Sequence, residues 1–202
     1  MCIKGVVFDL DGTLVDSRLD FDAMRKEMGI IERTPILEAL DGMTDEEHRK
    51  QCWQILLKHE QVAAVVATPM PGVEEFLQRL SQNHIPLGVL TRNSQKSAEK
   101  MLELFEVTFS IVVTRNNAPH KPAPDGLRLI CKKWQLLPSE VLFIGDFWID
   151  MKTGENAGTR TAMYGEGLSR ALVEKVDFEF RAFSQAFSLI EPFLMPEHKM
   201  DI

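Results

Sequence analysis

The chain has 202 residues, a net charge of −7 and the apolar and charged fractions of an ordinary soluble globular protein. This length is typical of one well-buried domain with room for a small insert, and the acidic charge argues against nucleic-acid binding. Only three cysteines occur, at wide spacing, which favours reduced thiols in a cytosolic protein. We expect neither a signal peptide nor a membrane span, because the sequence shows no pattern typical of either.

The first predicted strand ends on two acidic residues. An apolar run through Val6–Phe8 leads into Asp9, and Asp11 follows after one residue. Alternate residues at a strand end face the same way, so both carboxylates can point into one cavity, where a divalent cation would relieve their repulsion. Gly12 allows a sharp turn and the close approach of a ligand to main-chain N–H groups. Taken alone, the pattern is also typical of a strand followed by an acidic turn.

The next segment, residues 17–69, differs in character, and we predict that it is all-helical with no strand. Asp20 is a candidate N-cap of a first helix, Pro35 opens a second, and Thr44–Glu47 form a capping-box pattern before a long third helix. The long helix carries one stripe, composed of Cys52, Ile55, Leu56, His59, Val62, Ala63 and Val66. We interpret the segment as a small helical cap domain.

Beyond residue 69 the chain alternates predicted helices and strands, which indicates right-handed βαβ units and a parallel sheet with helices on both faces. The predicted strands cover 86–90, 110–113, 141–144 and 160–164, with a weaker one at 176–180. The predicted helices cover 73–83, a segment capped by Ser94, a segment capped by Asp125, a segment stopping at Gly158 and a last one through Leu194, before a loose tail from Pro196. The predicted fold is therefore α/β, a Rossmann-like core of residues 1–16 and 70–202 with the cap at 17–69.

Polar residues follow the predicted strands at their carboxyl ends, where parallel sheets bind ligands. They are Thr91, Arg92 and Asn93, then Lys121 in a loop before a helix, then Asp146 and Asp150. Several carboxylates around one spot suit Mg²⁺, while a hydroxyl, a lysine and main-chain N–H groups suit phosphate oxygens. One carboxylate can attack phosphorus to form an aspartyl-phosphate, and a second can act as general acid and base.

Four motifs in this order resemble the haloacid dehalogenase (HAD) superfamily of phosphatases, over essentially the whole chain. They are Asp9-Leu10-Asp11-Gly12-Thr13, Thr91 at a strand end, Lys121-Pro122-Ala123-Pro124-Asp125, and Gly145-Asp146 with Asp150. The resemblance implies that Asp9 is the nucleophile and Asp11 the general acid and base. It also implies that Thr91 and Lys121 hold the phosphoryl group.

The resemblance further implies a Mg²⁺ ion bound by Asp9, the main-chain carbonyl of Asp11, and Asp146, with Asp150 supporting it directly or through water. Candidate phosphate ligands are Gly12, Thr91, Arg92, Asn93 and Lys121. The helical insert resembles the cap of the phosphoglycolate-phosphatase-like branch, which closes over the site and contacts the leaving group of the substrate.

Two departures from the family pattern concern the surroundings of the site. Phe147 and Trp148 stand where relatives commonly carry small or polar residues, and the cap is short, which would leave the site more open and favour larger substrates. Four arginines of the cap side are candidates to meet a substrate carboxylate or second phosphate: Arg18, Arg25, Arg33 and Arg49. We interpret His59 as a packed residue and His120 as a loop residue.

These observations favour a Mg²⁺-dependent phosphomonoester hydrolase that acts on a small cytosolic phosphorylated metabolite, with a phosphoglycolate-like substrate as one candidate. The alternatives are a phosphosugar mutase of β-phosphoglucomutase type and a non-catalytic regulatory relative. A dehalogenase would use neither the second carboxylate nor the metal. We expect no nucleic-acid or membrane partner, and both a monomer and a homodimer stay open.

Overall fold

A six-stranded parallel sheet forms the centre of the molecule in the computed structural model, which describes residues 2–30, 34–166 and 176–194. Its strands are β1 (Gly5–Phe8), β4 (Leu87–Leu90), β5 (Ile111–Val113), β6 (Val141–Gly145), β7 (Arg160–Tyr164) and β8 (Phe178–Phe180). They lie in the order β5-β4-β1-β6-β7-β8, and every pairing is parallel. The predicted α/β fold and its strands are confirmed, with slightly different bounds.

Five helices follow the strands of this sheet. They are α4 (Val73–Gln82), α5 (Gln95–Leu102), α6 (Asp125–Trp134), α7 (Trp148–Ala157) and α8 (Phe183–Ile190), with short 3-10 turns at Pro138–Glu140 and Glu191–Phe193. Consecutive residues of β1 point to opposite faces, so Phe8 packs in one apolar cluster with Phe76 and Phe183, while Val7 packs in another with Phe143. Burial of both faces explains why the central strands β1, β4 and β6 are continuous runs of apolar residues and glycine.

The insert begins and ends at a two-stranded antiparallel ribbon. Strand β2 (Val15–Asp16) pairs with β3 (Thr68–Pro69), so the chain leaves the core and returns to it at adjacent points. Between these strands lie α1 (Phe21–Glu27), α2 (Ile36–Asp41) and α3 (Glu46–Val66), with their own apolar cluster. The prediction of no strand in 17–69 is wrong for its last two residues, because they add backbone hydrogen bonds to β2. The division of the chain into core and cap domains stays a prediction.

Of the predicted helix caps of the insert, Asp20 is confirmed, whereas the capping box that starts at Thr44 is wrong by one residue. The Asp20 carboxylate accepts a hydrogen bond from Ala23 N (2.8 Å), and Asp45 rather than Thr44 accepts from Glu47 N and His48 N at the start of α3. His59 hydrogen-bonds Glu27 at 2.8 Å and is half-buried, as predicted.

Two details of the helices differ from prediction. The buried line of α3 runs through Cys52, Leu56, Glu60 and Ala63, whereas Val62 and Val66 are 61 % and 47 % exposed. The predicted stripe is confirmed at Ala63 and wrong at Val62 and Val66, because the buried side of the last turns carries Glu60 and Ala64 instead.

The Asp125 cap is also wrong. Asp125 is the first residue of α6, and Pro124 occupies the N-cap position. The predicted last helix ends at Ile190 and is followed by a 3-10 turn, while the tail from Pro196 lies outside the described residues. None of the helices in the described ranges is both long and apolar enough to cross a membrane.

Candidate active site

Three neighbouring strands deliver polar residues to one edge of the sheet. Asp9 follows β1, Thr91 follows β4 on one side of it, and Asp146 follows β6 on the other. Because parallel strands end at the same edge, residues that are far apart in sequence meet there. The structure therefore brings the predicted site residues of all four motifs to one cavity.

Asp9, Asp146 and Asp150 form a cluster in which each offers one carboxylate oxygen within 4.8 Å of the others. Lys121 Nζ donates to Asp9 Oδ1 at 2.5 Å and to Asp150 Oδ1 at 2.6 Å. Asp9, Asp150 and Lys121 are buried. One ammonium group therefore lies among three carboxyl groups in a region with little water.

The pKa values in this cluster follow from burial and from the excess of acidic groups. Burial lowers the pKa of Lys121, but the carboxylates of Asp150 and Asp9 outweigh it, so the net pKa is raised and the ammonium stays charged. Burial raises the pKa of Asp9 well above its usual range, and Asp150 and Asp146 raise it further against the opposing effect of Lys121. Burial, with Asp150 next, raises the pKa of Asp146 to about 7. The cluster therefore holds more acidic groups than its single lysine can neutralise.

This donor set fits a hard divalent cation. Carboxylate oxygens are the preferred protein ligands of Mg²⁺, and a divalent ion would favour the ionised carboxylates that burial and mutual repulsion disfavour. Asp9, Asp146 and Asp150 could therefore hold the ion.

Asp150 also has a structural role in the first turn of α7. Its Oδ2 accepts a hydrogen bond from Phe147 N at 3.1 Å, and a negative charge is favourable at this end of a helix. Phe147 lines the cavity and packs against Trp148 with ring centroids 5.9 Å apart. The aromatic pair thus leaves the acidic cluster intact.

The Asp11 side chain points away from the acidic cluster, toward the loop after β4. Asn93 Nδ2 donates to Asp11 Oδ2, and Asn93 N donates to Thr91 Oγ1 at 3.1 Å. Burial raises the pKa of Asp11, and hydrogen bonds from Ser17 and Asn93 oppose it only in part. The other oxygen, Oδ1, is buried without a partner of good geometry among the described residues. A carboxyl group in this state suits proton transfer to a bound molecule.

Gly12 forms a tight turn directly after Asp11, close to the Asp146 side chain. Its φ is +76°, and a methyl group at this position would overlap the Asp146 carboxylate. The next residue, Thr13, donates through Oγ1 to Asp146 Oδ1 at 3.3 Å. Glycine is therefore required both by the backbone conformation and by the close approach of Asp146.

A cavity of about 710 Å³ extends from the acidic cluster to the insert. Its apolar lining comes mainly from the insert: Leu19, Phe21, Met24, Pro35, Ile36, Leu37 and Leu56. Of the four candidate arginines, Arg18 and Arg25 also line it, whereas Arg33 lies outside the described residues and Arg49 is half-buried elsewhere on α3.

Contacts between the insert and the core involve residues that sequence reasoning missed. Arg92, a predicted phosphate ligand, lines the cavity but pairs with Glu38 of α2 at 2.5 Å. His120 donates to the carboxylate of Asp41, also on α2, at 2.8 Å. Glu60 of α3 pairs with Arg115 in the loop after β5. No local pattern marks these pairs, because their members are 54 to 79 residues apart in sequence.

Comparison with known proteins gives matches along most of the chain. Residues 3–158 match the family model for haloacid dehalogenase-like hydrolases. The N-acetylmuramic acid 6-phosphate phosphatase of Pseudomonas aeruginosa is 29 % identical, over 80 % of this chain and 81 % of its own. The phosphoglycolate phosphatase of Chromobacterium violaceum is 28 % identical, over 94 % of this chain and 97 % of its own.

Solved structures have the same fold. A haloacid dehalogenase-like family hydrolase from Streptococcus pneumoniae superposes with a TM-score of 0.74 at 22 % identity, covering 93 % of this chain and 98 % of that one.

Proposed function

The chain belongs to the haloacid dehalogenase-like hydrolase family and is a phosphatase of that family, and from this premise we propose that it hydrolyses a small phosphorylated metabolite through an aspartyl-phosphate on Asp9. The observation that carries this proposal is the buried arrangement of Asp9, Lys121 and Asp150, with Asp11 nearby in the same cavity and hydrogen-bonded to Asn93.

We propose that Asp9, the main-chain carbonyl of Asp11, and Asp146 hold Mg²⁺, supported by Asp150. When bound, Mg²⁺ would supply positive charge that offsets the phosphoryl oxygens and the neighbouring carboxylates. The acidic cluster supports this assignment because its side chains offer hard oxygen ligands in excess of the charge of Lys121.

The reaction has two steps. A carboxylate oxygen of Asp9 attacks phosphorus, the bond to the leaving oxygen breaks, and Asp11 gives that oxygen its proton. Water then attacks the phosphorus of the aspartyl-phosphate while Asp11 takes a proton from it, which releases phosphate and restores the Asp9 carboxylate. The raised pKa of Asp11 supports the role of proton donor in the first step.

The phosphoryl group would lie against the polar groups on the core side of the cavity. Lys121 would offset its charge, while Thr91, Asn93 and Arg92 would bind its oxygens. The main-chain N–H of Gly12, the other predicted ligand, already donates to Val15 O at 2.8 Å, so that prediction is wrong. Arg92 would have to share its guanidinium with Glu38, so we assign it the weakest role in this set.

The leaving group would occupy the part of the cavity lined by the insert. Relatives act on phosphoglycolate and on N-acetylmuramic acid 6-phosphate, according to their names. A volume of about 710 Å³ with an apolar wall supports a leaving group larger than two carbons. Arg18 and Arg25 at the same wall support an acidic group on it.

The test is phosphate release from a panel of phosphomonoesters, with Mg²⁺ and with a chelator. We expect metal-dependent turnover in the wild type and none in Asp9→Asn, since an amide is a poor nucleophile. Glu75→Gln, which makes the same carboxylate-to-amide change at an exposed residue of α4 outside the cavity, is the matched control and should keep wild-type activity. Turnover that survives Asp9→Asn would contradict the mechanism. Sugar-phosphate isomerisation with slow hydrolysis would instead favour the mutase.

A cytosolic location also stays a prediction, supported by the three unpaired cysteines Cys2, Cys52 and Cys131. The oligomeric state stays open between monomer and homodimer.

A further inference from the structure

Among the described residues, the ion pair between Glu60 and Arg115 is more buried than the other ion pairs that join the insert to the core loops. The side chains are 3 % and 7 % exposed, respectively. The pair is bidentate, because Arg115 Nη2 donates to Glu60 Oε2 at 2.9 Å while Arg115 Nη1 donates to Oε1. Burial of such a pair is costly unless the remaining hydrogen-bonding atoms are satisfied.

The pair also makes two hydrogen bonds to the backbone of one loop, residues 91–94. Arg115 Nη1 also donates to the Arg92 carbonyl oxygen at 2.6 Å. Glu60 Oε2 also accepts a hydrogen bond from Ser94 N at 3.2 Å. The pair therefore binds the loop that carries Thr91 and Asn93 at two backbone positions.

The electrostatic surroundings favour this arrangement. Ser94 is the N-cap of α5, so the Glu60 carboxylate lies at the positive end of a helix dipole. The Arg115 guanidinium lies 5.3 Å from the centre of the Trp53 ring, which belongs to the same helix as Glu60. Helix α3 therefore supplies both the carboxylate of the pair, from Glu60, and an aromatic ring beside the guanidinium, from Trp53.

We propose that Glu60 and Arg115 are positioning residues for the reaction, which fix the 91–94 loop against α3 so that Thr91 and Asn93 are held in place to bind the phosphoryl group. This inference rests on the proposed function for the roles of Thr91 and Asn93. The path is short: Arg115 and Glu60 hold the backbone on either side of Asn93, and Asn93 in turn hydrogen-bonds Asp11.

A purely structural pair and a positioning pair differ in one measurable respect. Each single substitution, Glu60→Leu or Arg115→Met, leaves an uncompensated buried charge and should lower the thermal midpoint. The double substitution removes both charges and should recover most of that midpoint. If the pair acts only through stability, activity will recover too; if it positions the loop, activity will stay low.

We therefore compare the two single variants and the double variant with wild type, using p-nitrophenyl phosphate and the best substrate of the panel. In the double variant we expect kcat/KM to fall about 10- to 100-fold for both substrates, the scale of a displacement of about 1 Å. The inhibition constant of inorganic phosphate should rise as well, since the loop binds the phosphoryl group. An equal loss of kcat/KM on both substrates would indicate an effect on the phosphate site, whereas an effect on the leaving-group site would differ between the two substrates.

The matched control is Lys100→Met with Glu103→Leu, an exposed ion pair on α5 and its C-cap, which should change none of these values. Recovery of wild-type kcat/KM and phosphate inhibition together with the thermal midpoint would overturn the proposal.

If the double variant does not regain its thermal midpoint, phosphate inhibition of Arg115→Lys is measured instead, at a temperature where this variant is folded. Lysine keeps the charge but cannot form the bidentate contact, so weaker phosphate inhibition supports the proposal and wild-type inhibition overturns it.

Calorimetric binding of inorganic phosphate with Mg²⁺ separates this inference from the proposed function. A wild type that binds phosphate without hydrolysing any ester would contradict the proposed function, while the dissociation constants of the variants would still decide the role of the pair. A wild type that does neither would overturn both.

Discussion

Asp146 links the stability of the metal-free protein to pH. Its pKa is raised to about 7, chiefly by burial and then by Asp150, whereas in the unfolded chain it would be about 3.9. Between these values the folded state binds a proton that the unfolded state does not. The stabilisation is therefore complete below about pH 4 and is lost as the pH rises through about 7.

We expect the thermal midpoint in the presence of a chelator to decrease from about pH 5 to about pH 8, and to decrease less in Asp146→Asn, which cannot ionise. Added Mg²⁺ should stabilise the wild type most at the higher pH, because metal binding requires ionised carboxylates. Thermal unfolding at the two pH values measures both effects. An equal pH dependence in the wild type and the variant would contradict the role given to Asp146.

Gly12 allows conformational strain to be separated from crowding of the metal site. Gly12 and Gly29 both have positive φ, +76° and +69°, but only at Gly12 would a methyl group meet another residue, Asp146. Both alanine variants should lose about 1–2 kcal/mol of stability through the left-handed backbone. Only Gly12→Ala should also lose Mg²⁺-dependent activity, by about 100-fold, since it displaces Asp146. Phosphate release and chemical denaturation measure the two effects, and equal activities of the two variants would refute the argument.

At the scale of elements, α1 brings a cation to the leaving-group side of the cavity. Arg25 lines the cavity and pairs with Asp22 at 2.6 Å, while its neighbour Lys26 on the same helix is exposed. We expect Arg25→Met to raise KM about tenfold or more for esters whose leaving group carries a carboxylate or second phosphate, the scale of a hydrogen bond to a charged group.

Esters with a neutral leaving group should keep their KM in Arg25→Met, and Lys26→Met should leave all substrates unchanged. Steady-state kinetics on matched acidic and neutral esters provides the measurement. An equal rise in KM for both classes would show that Arg25 acts through the shape of the insert and not through its charge.

The sequence was sufficient to predict the elements whose apolar pattern is local. The strand ends that carry Asp9, Thr91 and Asp146 followed from short buried runs and their polar termini, and the four motifs fixed their order in the site. Helix α3 was harder, because the predicted stripe assumed that a helix buries only apolar residues. Glu60 is buried through a partner 55 residues away, and no periodicity encodes such a partner.

The residues of the site also divide into those marked by a local sequence pattern and those that depend on long-range partners. The acidic residues of the motifs could be named in advance, whereas the contacts that set their surroundings could not. Glu38 and Asp41 of α2 pair with Arg92 and His120 only because the insert lies over the core in three dimensions. The two-residue strands β2 and β3 are too short to produce an alternating pattern, so the ribbon between them was missed.

At the scale of the whole molecule, α3 belongs to two apolar clusters. Cys52 and Leu56 pack within the cluster of the insert, while Ala63, Ala64 and Ala67 pack in the larger cluster of the sheet. Because one helix contributes to both clusters, we expect insert and core to unfold in a single cooperative transition.

Leu40→Ala tests this expectation. Leu40 is fully buried in the cluster of the insert, and its truncation should lower the free energy of unfolding by about 2–5 kcal/mol. Guanidinium denaturation of single-tryptophan variants, with Trp53 in the insert or Trp134 in the core, should show the same shifted midpoint. Leu57→Ala, at a partly exposed position of α3, should change the midpoint little. A shift confined to the Trp53 signal would show that the insert unfolds separately.

The ribbon of β2 and β3 has a consequence for how such a protein can evolve. Val15 pairs with Pro69 and Asp16 pairs with Thr68 in the antiparallel ribbon. The two ends of the insert therefore stay together whatever the length of chain between them. An insertion, a deletion or an exchange of this segment therefore leaves the strand ends of the sheet where they are. Changes of substrate specificity in ancestral proteins could therefore have arisen within 17–67 without a matching change in the residues that break the phosphate ester. A chimera that joins a foreign insert at the ribbon would make such a change in a single step.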